Sequence, residues 1–305
     1  MSTALENFRA APVHDVELSG ATLRYRMFGD GPAVLLLHGW PLSGVTYRHL
    51  IEALRPHYRC YVPDLPGAGG TPWSARITET VHGYADLMRE FVDHLQLERL
   101  ALIGHDSGGG VARLLAAELQ PGRVTSLVLQ NTEVPNHLPP MVRLLKLVAA
   151  SRLTTAGLGQ LLKLKLLRTS ALGFGNCFGN RDLIEGEFYE ACVRPLETDL
   201  AGHATALKHL DLGWTRDLPA IHAKIDAPIH LFWGEKDDDF FPLAHARAMA
   251  PQFRKGGEFR VIPGAKLFVH EEAFEELNRF TLPLLAQGFA NRSQSFDGQR
   301  QPLPS

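Results

Sequence analysis

Residues 100–110, LALIGHDSGGG, set one acidic side chain among glycines at the end of an apolar run. A buried strand that bends sharply into a helix leaves no room for side chains beside the bend. Gly104 and Gly108 therefore frame the tip, and Asp106 occupies it. A carboxylate lifted onto a helix N-terminus keeps its charge among unpaired N–H groups. It is then a candidate nucleophile toward an electrophilic carbon. Ser107 does not fit the tip, because a frame centred on it would need glycine where the chain has His105. A helix N-cap is the plainer role for Asp106, and the paired glycines count against it.

The elements around this bend read as an α/β fold. Alternating apolar and polar residues mark strands at 13–20 and 21–30, whereas PAVLLLHG (32–39) is continuously apolar, as in a strand covered on both faces. Helix-like stretches at 46–54 and 78–95 precede YRCYVPD and LALIGHD, and a helix from Ser107 to about Leu119 leads into VTSLVLQNT. This order predicts a mostly parallel sheet with helices on both faces, wound right-handedly. At Val134 the rhythm breaks into a helix-rich stretch, to resume with PIHLFWGEKD, a helix at 242–250, EFRVIPG and a last helix at about 271–285. The expected organisation is a core of residues 1–133 and 214–287, a helical cap at 134–213 over the C-terminal edge of the sheet, and a disordered polar tail at 288–305.

These features resemble the α/β-hydrolase fold family over residues 13–285. His38-Gly39-Trp40-Pro41 follows the third strand, Asp64-Leu-Pro-Gly-Ala-Gly-Gly70 the fourth, and Gly234-Glu-Lys-Asp237 the seventh. The resemblance implies an eight-stranded sheet with a helical cap inserted after strand six. An aspartate at the tip is similar to the epoxide hydrolase and dehalogenase branch, where the carboxylate attacks an sp3 carbon to give an alkyl ester. A base-activated water then attacks the ester carbonyl. By the same resemblance, the N–H groups of Trp40 and Ser107 form the oxyanion hole. Asp237 becomes the acid of the triad, and His38, His105 and Tyr189 are assigned to the substrate.

One position departs from the family. Where relatives carry Gly-His after the eighth strand, this chain reads Lys266-Leu267. Leucine cannot take a proton, and a general base contributes about 10²–10⁴-fold. His270, three residues on, is the candidate replacement. Lys266 is expected to point to solvent, with Asp237 as its alternative partner. Ser107 follows Asp106 where dehalogenases carry a halide-binding Trp, and residues 134–213 hold only Tyr189 where epoxide hydrolases use two cap tyrosines. The leading expectation is epoxide hydrolase-like hydrolysis of a small apolar substrate. The alternatives are a lyase, decarboxylase or cyclisation catalyst, and a silent ligand-binding protein.

A net charge of −2 and a pI near 6.7 argue against a nucleic-acid partner. Cys60, Cys177 and Cys192 form neither a disulfide framework nor a metal-ligand pattern. The N-terminus shows no secretory signal, and no apolar run reaches membrane-spanning length. The sequence thus points to a cytoplasmic protein with a small-molecule substrate and no metal or cofactor. A homodimer is left open, and membrane contact is not expected. Arg143, Lys146, Arg152, Lys163, Lys165 and Arg168 fall in a stretch without acids, and acids follow from Asp182 to Asp199. Pairing between the two stretches is favoured over attraction of acidic substrates or anionic lipid.

Overall fold

The computed structural model describes residues 2–19 and 21–291. Its centre is an eight-stranded sheet in the order β1-β2-β4-β3-β5-β6-β7-β8. β1 (Val13–Leu18) and β2 (Ala21–Phe28) pair antiparallel, as do β2 and β4 (Arg59–Pro63). All other pairings are parallel, among β3 (Ala33–Leu37), β4, β5 (Leu100–His105), β6 (Val124–Gln130), β7 (Ile229–Gly234) and β8 (Phe259–Ile262). Every residue of β5, β6 and β7 is buried, as in central strands covered on both faces.

Helices α1 (Thr3–Ala10), α2 (Arg48–Leu54), α3 (Thr80–His94) and α4 (Ser107–Glu118) belong to the first half of the chain. α1 has no counterpart among the expected elements. It is capped by Ser2, whose hydroxyl accepts from the Leu5 N–H, and it buries Leu5 and Phe8. Between β6 and β7 the described residues hold helices and turns but no strand. They include α5 (Pro140–Ala149), α6 (Arg152–Leu162), α7 (Lys165–Arg168), α8 (Ala201–Lys208) and α9 (Leu218–Lys224). α10 (Leu243–Met249), α11 (Val269–Glu272) and α12 (Phe274–Ala290) complete the fold. The last helix expected from sequence is therefore two, divided at Ala273. α12 also runs through 288–290, where a tail was expected; residues 292–305 of that tail lie outside the described residues.

β3 and β5 are neighbours, yet the strand after β3 lies on its other side. Strand order reverses between them, and a crevice opens at their carboxyl ends, where α/β sheets bind ligands. The loop from His38 and the bend at Asp106 both start there. Beside it, Arg48 is buried in a two-pronged pair with Glu271, at 2.7 and 2.8 Å. Replacing one partner of such a pair strands a buried charge and costs about 3–5 kcal/mol. Arg48→Met should lower urea stability by that amount. Arg24→Met, at the exposed pair with Asp15, should cost under about 1 kcal/mol.

Candidate active site

The bend after β5 is held by steric crowding. A side chain at Gly108 would place its Cβ 2.1 Å from the Leu37 carbonyl, and one at Gly39 would lie 2.5 Å from the Asp106 Cβ. Asp106 itself sits at φ 48°, ψ −131°, a conformation that L-residues rarely adopt. The Gln130–Asn131 end of β6 receives its N–H, and its carbonyl accepts from Gly109 N and Thr132 Oγ1. The carboxylate then meets two main-chain donors. Trp40 N–H donates to Oδ2 at 2.9 Å, and the Ser107 N–H also bonds the carboxylate. Ser107 Oγ lies 3.5 Å from Oδ2. Asp106, Trp40 and Ser107 are thus brought together, while Trp40 Nε1 ties its loop to α8 by donating to His203 O at 2.9 Å.

Above the carboxylate lies a cavity of about 160 Å³, roofed by the helical insertion. Its walls are mainly apolar and include Leu65, Val142, Leu162, Phe174, Leu267 and Phe268. A volume of this order suits a ligand about the size of a benzene ring. Leu267 presents its side chain to the cavity, so apolar surface stands where the family resemblance places an imidazole.

His270 is not brought to either carboxylate. Its Nε2 is 2.7 Å from Thr46 Oγ1, and Thr46 in turn donates to Glu271. That assigns the Nε2 proton to the Thr46 bond and leaves the imidazole in a network with Arg48. Burial, then the neighbouring His105, depress its pKa well below the usual value. The reason for the misplacement is helical geometry: α11 begins at Val269 and turns residue 270 inward against Tyr47 and His105. His105 is likewise removed from substrate. It is fully buried, its Nε2 bonds Leu267 O at 3.0 Å, and burial lowers its pKa to about 3. His38 does line the cavity, but both its ring nitrogens serve the backbone. Nε2 accepts from Leu65 N–H, which leaves Nδ1 to donate to Gly39 O, and burial lowers the pKa to about 4. Tyr189 lies outside the cavity, its hydroxyl 2.6 Å from Glu197 and its ring under Arg168.

Asp237 is fully buried and accepts from Asn131 Nδ2 at 2.7 Å and from the N–H groups of Phe240 and Phe241. Among the described residues no histidine donates to it. Burial raises its pKa to about 6 against these hydrogen bonds. Lys266 does not reach it and instead pairs with Asp239 at 2.8 Å.

The residue that sequence reasoning missed is Glu133, on the cavity wall three residues past β6. A carboxylate just beyond the carboxyl end of a parallel strand was the available signal. Thr132 Oγ1 has one proton and three neighbours: Asp106 O at 2.9 Å, Glu133 Oε2 at 2.7 Å and Arg113 Nη2 at 2.7 Å. Arginine only donates and a main-chain carbonyl only accepts. An ionised Glu133 accepts the hydroxyl's proton, with Asp106 O served by Gly109 N–H. When the hydroxyl donates to Asp106 O instead, a protonated Glu133 donates to the hydroxyl. Burial raises the Glu133 pKa in that direction, against the opposing Arg113. Burial first, and then Glu133, also push Asp106 well above the carboxylate range, while the Ser107 and Trp40 hydrogen bonds act the other way. A proton resident on Glu133 removes the second of these causes and favours an ionised Asp106.

With this geometry in view, the comparisons give the chain its place. Residues 32–274 match the alpha/beta hydrolase fold family. The chain belongs to that family. It is 38% identical over 114 residues to haloalkane dehalogenase 2 of Mycobacterium tuberculosis, a match covering 37% of this chain and 40% of that protein. It is 37% identical over 101 residues to the soluble epoxide hydrolase of Corynebacterium sp., covering 32% and 34%. The chain thus spans well under half the length of these curated relatives. A putative lipase from Acinetobacter baumannii shares the fold with a TM-score of 0.77 at 21% identity, over 94% of this chain and 95% of the other.

Asp237 offers a test of the site's electrostatics. The folded protein holds its proton up to about pH 6, whereas the unfolded chain releases it near pH 4. The folded state therefore binds more protons between these values, and stability falls as pH rises through the window. Asp237→Asn should flatten the stability–pH curve there, removing about 2–3 kcal/mol of the change. Urea melts at a series of pH values read this directly, and an unaltered slope would contradict the assignment.

Proposed function

We propose that the protein is a hydrolase that opens small apolar carbon electrophiles, epoxides foremost, through an ester on Asp106. Support comes from the Asp106 carboxylate, anchored by the Trp40 and Ser107 N–H groups at the floor of an apolar cavity. The Trp40 N–H takes Oδ2, so Oδ1 is the oxygen that attacks. Its bond to a ring carbon forms as the ring C–O bond breaks, and the departing electron pair stays on the ring oxygen. Glu133 supplies the proton that neutralises this alkoxide. The names of the dehalogenase and epoxide hydrolase relatives agree with attack on an sp3 carbon.

In the second half, water adds to the ester carbonyl carbon, and the charge on the carbonyl oxygen is met by the same two N–H groups. Collapse then breaks the Cγ–Oδ1 bond, so that the diol leaves with Oδ1 and the proton taken from water. Leu267 and His270 supply no base. Of the titratable groups on the cavity wall, which include His137 and His203, the role falls to Glu133, a carboxylate after giving up its proton. It acts directly on Asp106, whereas burial lowers the pKa of both imidazoles. The pairing of Glu133 with Arg113 opposes the strengthening effect of burial and leaves this carboxylate a weaker base than a free imidazole, so the second half should be slow. Leu267 also favours a second reading, in which the cavity binds its ligand without turnover.

Intact-mass spectrometry after incubation with styrene oxide or 1,2-epoxyhexane separates these readings. Hydrolysis predicts diol together with one substrate mass on the peptide holding Asp106, and Asp106→Asn should abolish both. Leu267→His should hasten loss of the adduct by about 10²-fold or more. Neither adduct nor diol across an epoxide and haloalkane panel would leave binding alone.

A further inference from the structure

The helical insertion has two apolar faces. α5 turns Val142 and Leu145 toward the cavity, and α6 does the same with Leu158 and Leu162. Their other faces expose Leu144, Leu147, Leu153 and Leu161, and the chain continues with exposed Leu164, Leu166 and Leu172. Of nine strongly exposed large apolar side chains among the described residues, these seven lie within residues 144–172, so the exposure is concentrated rather than scattered. Leu153 and Leu166 are 85% and 82% exposed. α5 packs on α6 and α6 on α7, which makes the outward faces neighbours. An apolar surface of this kind marks an interaction site.

The charge around it selects the partner. Arg143, Arg152, Lys163 and Lys165 are exposed, and no acidic residue occurs from 134 to 180. The expected pairing with the acids that follow is met by Arg168, which bonds Glu185 through both prongs at 2.7 Å. None of the four exposed cations forms an ion pair among the described residues, although Lys165 feels the field of Glu185. Among the other acids, Glu187 pairs with Arg48, Glu190 with Arg194, and Glu197 accepts from Tyr189. A second copy docked across a two-fold axis would set these like charges against each other. Leucines flanked by lysines and arginines match a bilayer, whose headgroups take the cations and whose acyl boundary takes the apolar side chains.

We propose that the outward face of α5–α7, continued to Leu172, docks the protein on an anionic lipid surface. The contact is peripheral, since no helix among the described residues is long and apolar enough to cross a membrane. Leu172 is 68% exposed and also lines the cavity, so the docked face adjoins the cavity mouth. Apolar ligands dissolved in the bilayer would then reach Asp106 along an apolar path. This docking is independent of the chemistry at Asp106, and either can fail without the other.

Vesicle co-sedimentation tests it. The wild-type protein should sediment with vesicles of equal parts phosphatidylglycerol and phosphatidylcholine, not with phosphatidylcholine alone, and salt should weaken the binding. Lys163→Glu with Lys165→Glu should reduce binding roughly tenfold or more, each charge near the surface being worth about fivefold. Leu153→Ser with Leu164→Ser and Leu166→Ser should do likewise, with the melting temperature as a check on folding. Cys60, Cys177 and Cys192 are buried, so a polarity-sensitive thiol dye on Leu166→Cys should label selectively and shift blue on anionic vesicles. Absence of sedimentation with anionic vesicles, or binding indifferent to both variants, overturns the proposal. So does a lipid-free dimer dissolved by the leucine variants, which would assign the face to a second copy.

Discussion

At the end of β5 the chain must reverse direction within one residue while α4 stays pressed against the end of β3. Gly108 lies so close to the Leu37 carbonyl that no side chain fits there, and Asp106 adopts a positive φ to make the bend. Such a conformation persists because its surroundings over-determine it. The Asp106 N–H and carbonyl are bonded to the end of β6, and its carboxylate to the loop that leaves β3. The crowding that strains this residue also aims it. Without it, the carboxylate would not stand at the floor of the cavity, nor the Trp40 and Ser107 N–H groups beside it.

Around that bend, the low-dielectric interior sorts the titratable groups. Histidines that enter it stay neutral and are spent on structure: His38 bonds two backbone groups, His105 one, and His270 a threonine in the Arg48–Glu271 network. Carboxyl groups there collect hydrogen bonds, as Asp237 does, or are pushed toward the protonated form by burial, as Glu133 is. The other imidazoles on the cavity wall, His137 and His203, have their pKa lowered by burial.

The helices between β6 and β7 answer two demands at once. Toward the sheet they close an apolar chamber over Asp106. Away from it they leave leucines and unpaired cations uncovered, and that asymmetry follows from a periodicity in which both helix faces carry leucine. Ordinary surface helices bury one stripe and solvate the other. Here the second stripe lacks a partner among the described residues.

Much of the architecture was legible in the residues. A continuous apolar run identified β3, because a strand covered on both faces needs nothing polar, and the alternation of strand-like and helix-like stretches placed β5, β6 and β7. The glycines at 104 and 108 placed Asp106 at the bend, because local sterics decide that geometry. α1 was missed, since a short helix at a chain end is stabilised by what it packs on rather than by its own pattern. His270 looked like a replacement base because three residues is about one helical turn. Only the packed structure decides which way such a turn faces, and α11 directs it into the core. Glu133 was overlooked for the converse reason: its role depends on Thr132, Arg113 and Asp106, which come from three different elements. Spacing along a chain determines local bends and periodic faces. The environment of a titratable group is a sum over neighbours distant in sequence, and tertiary structure alone assembles them.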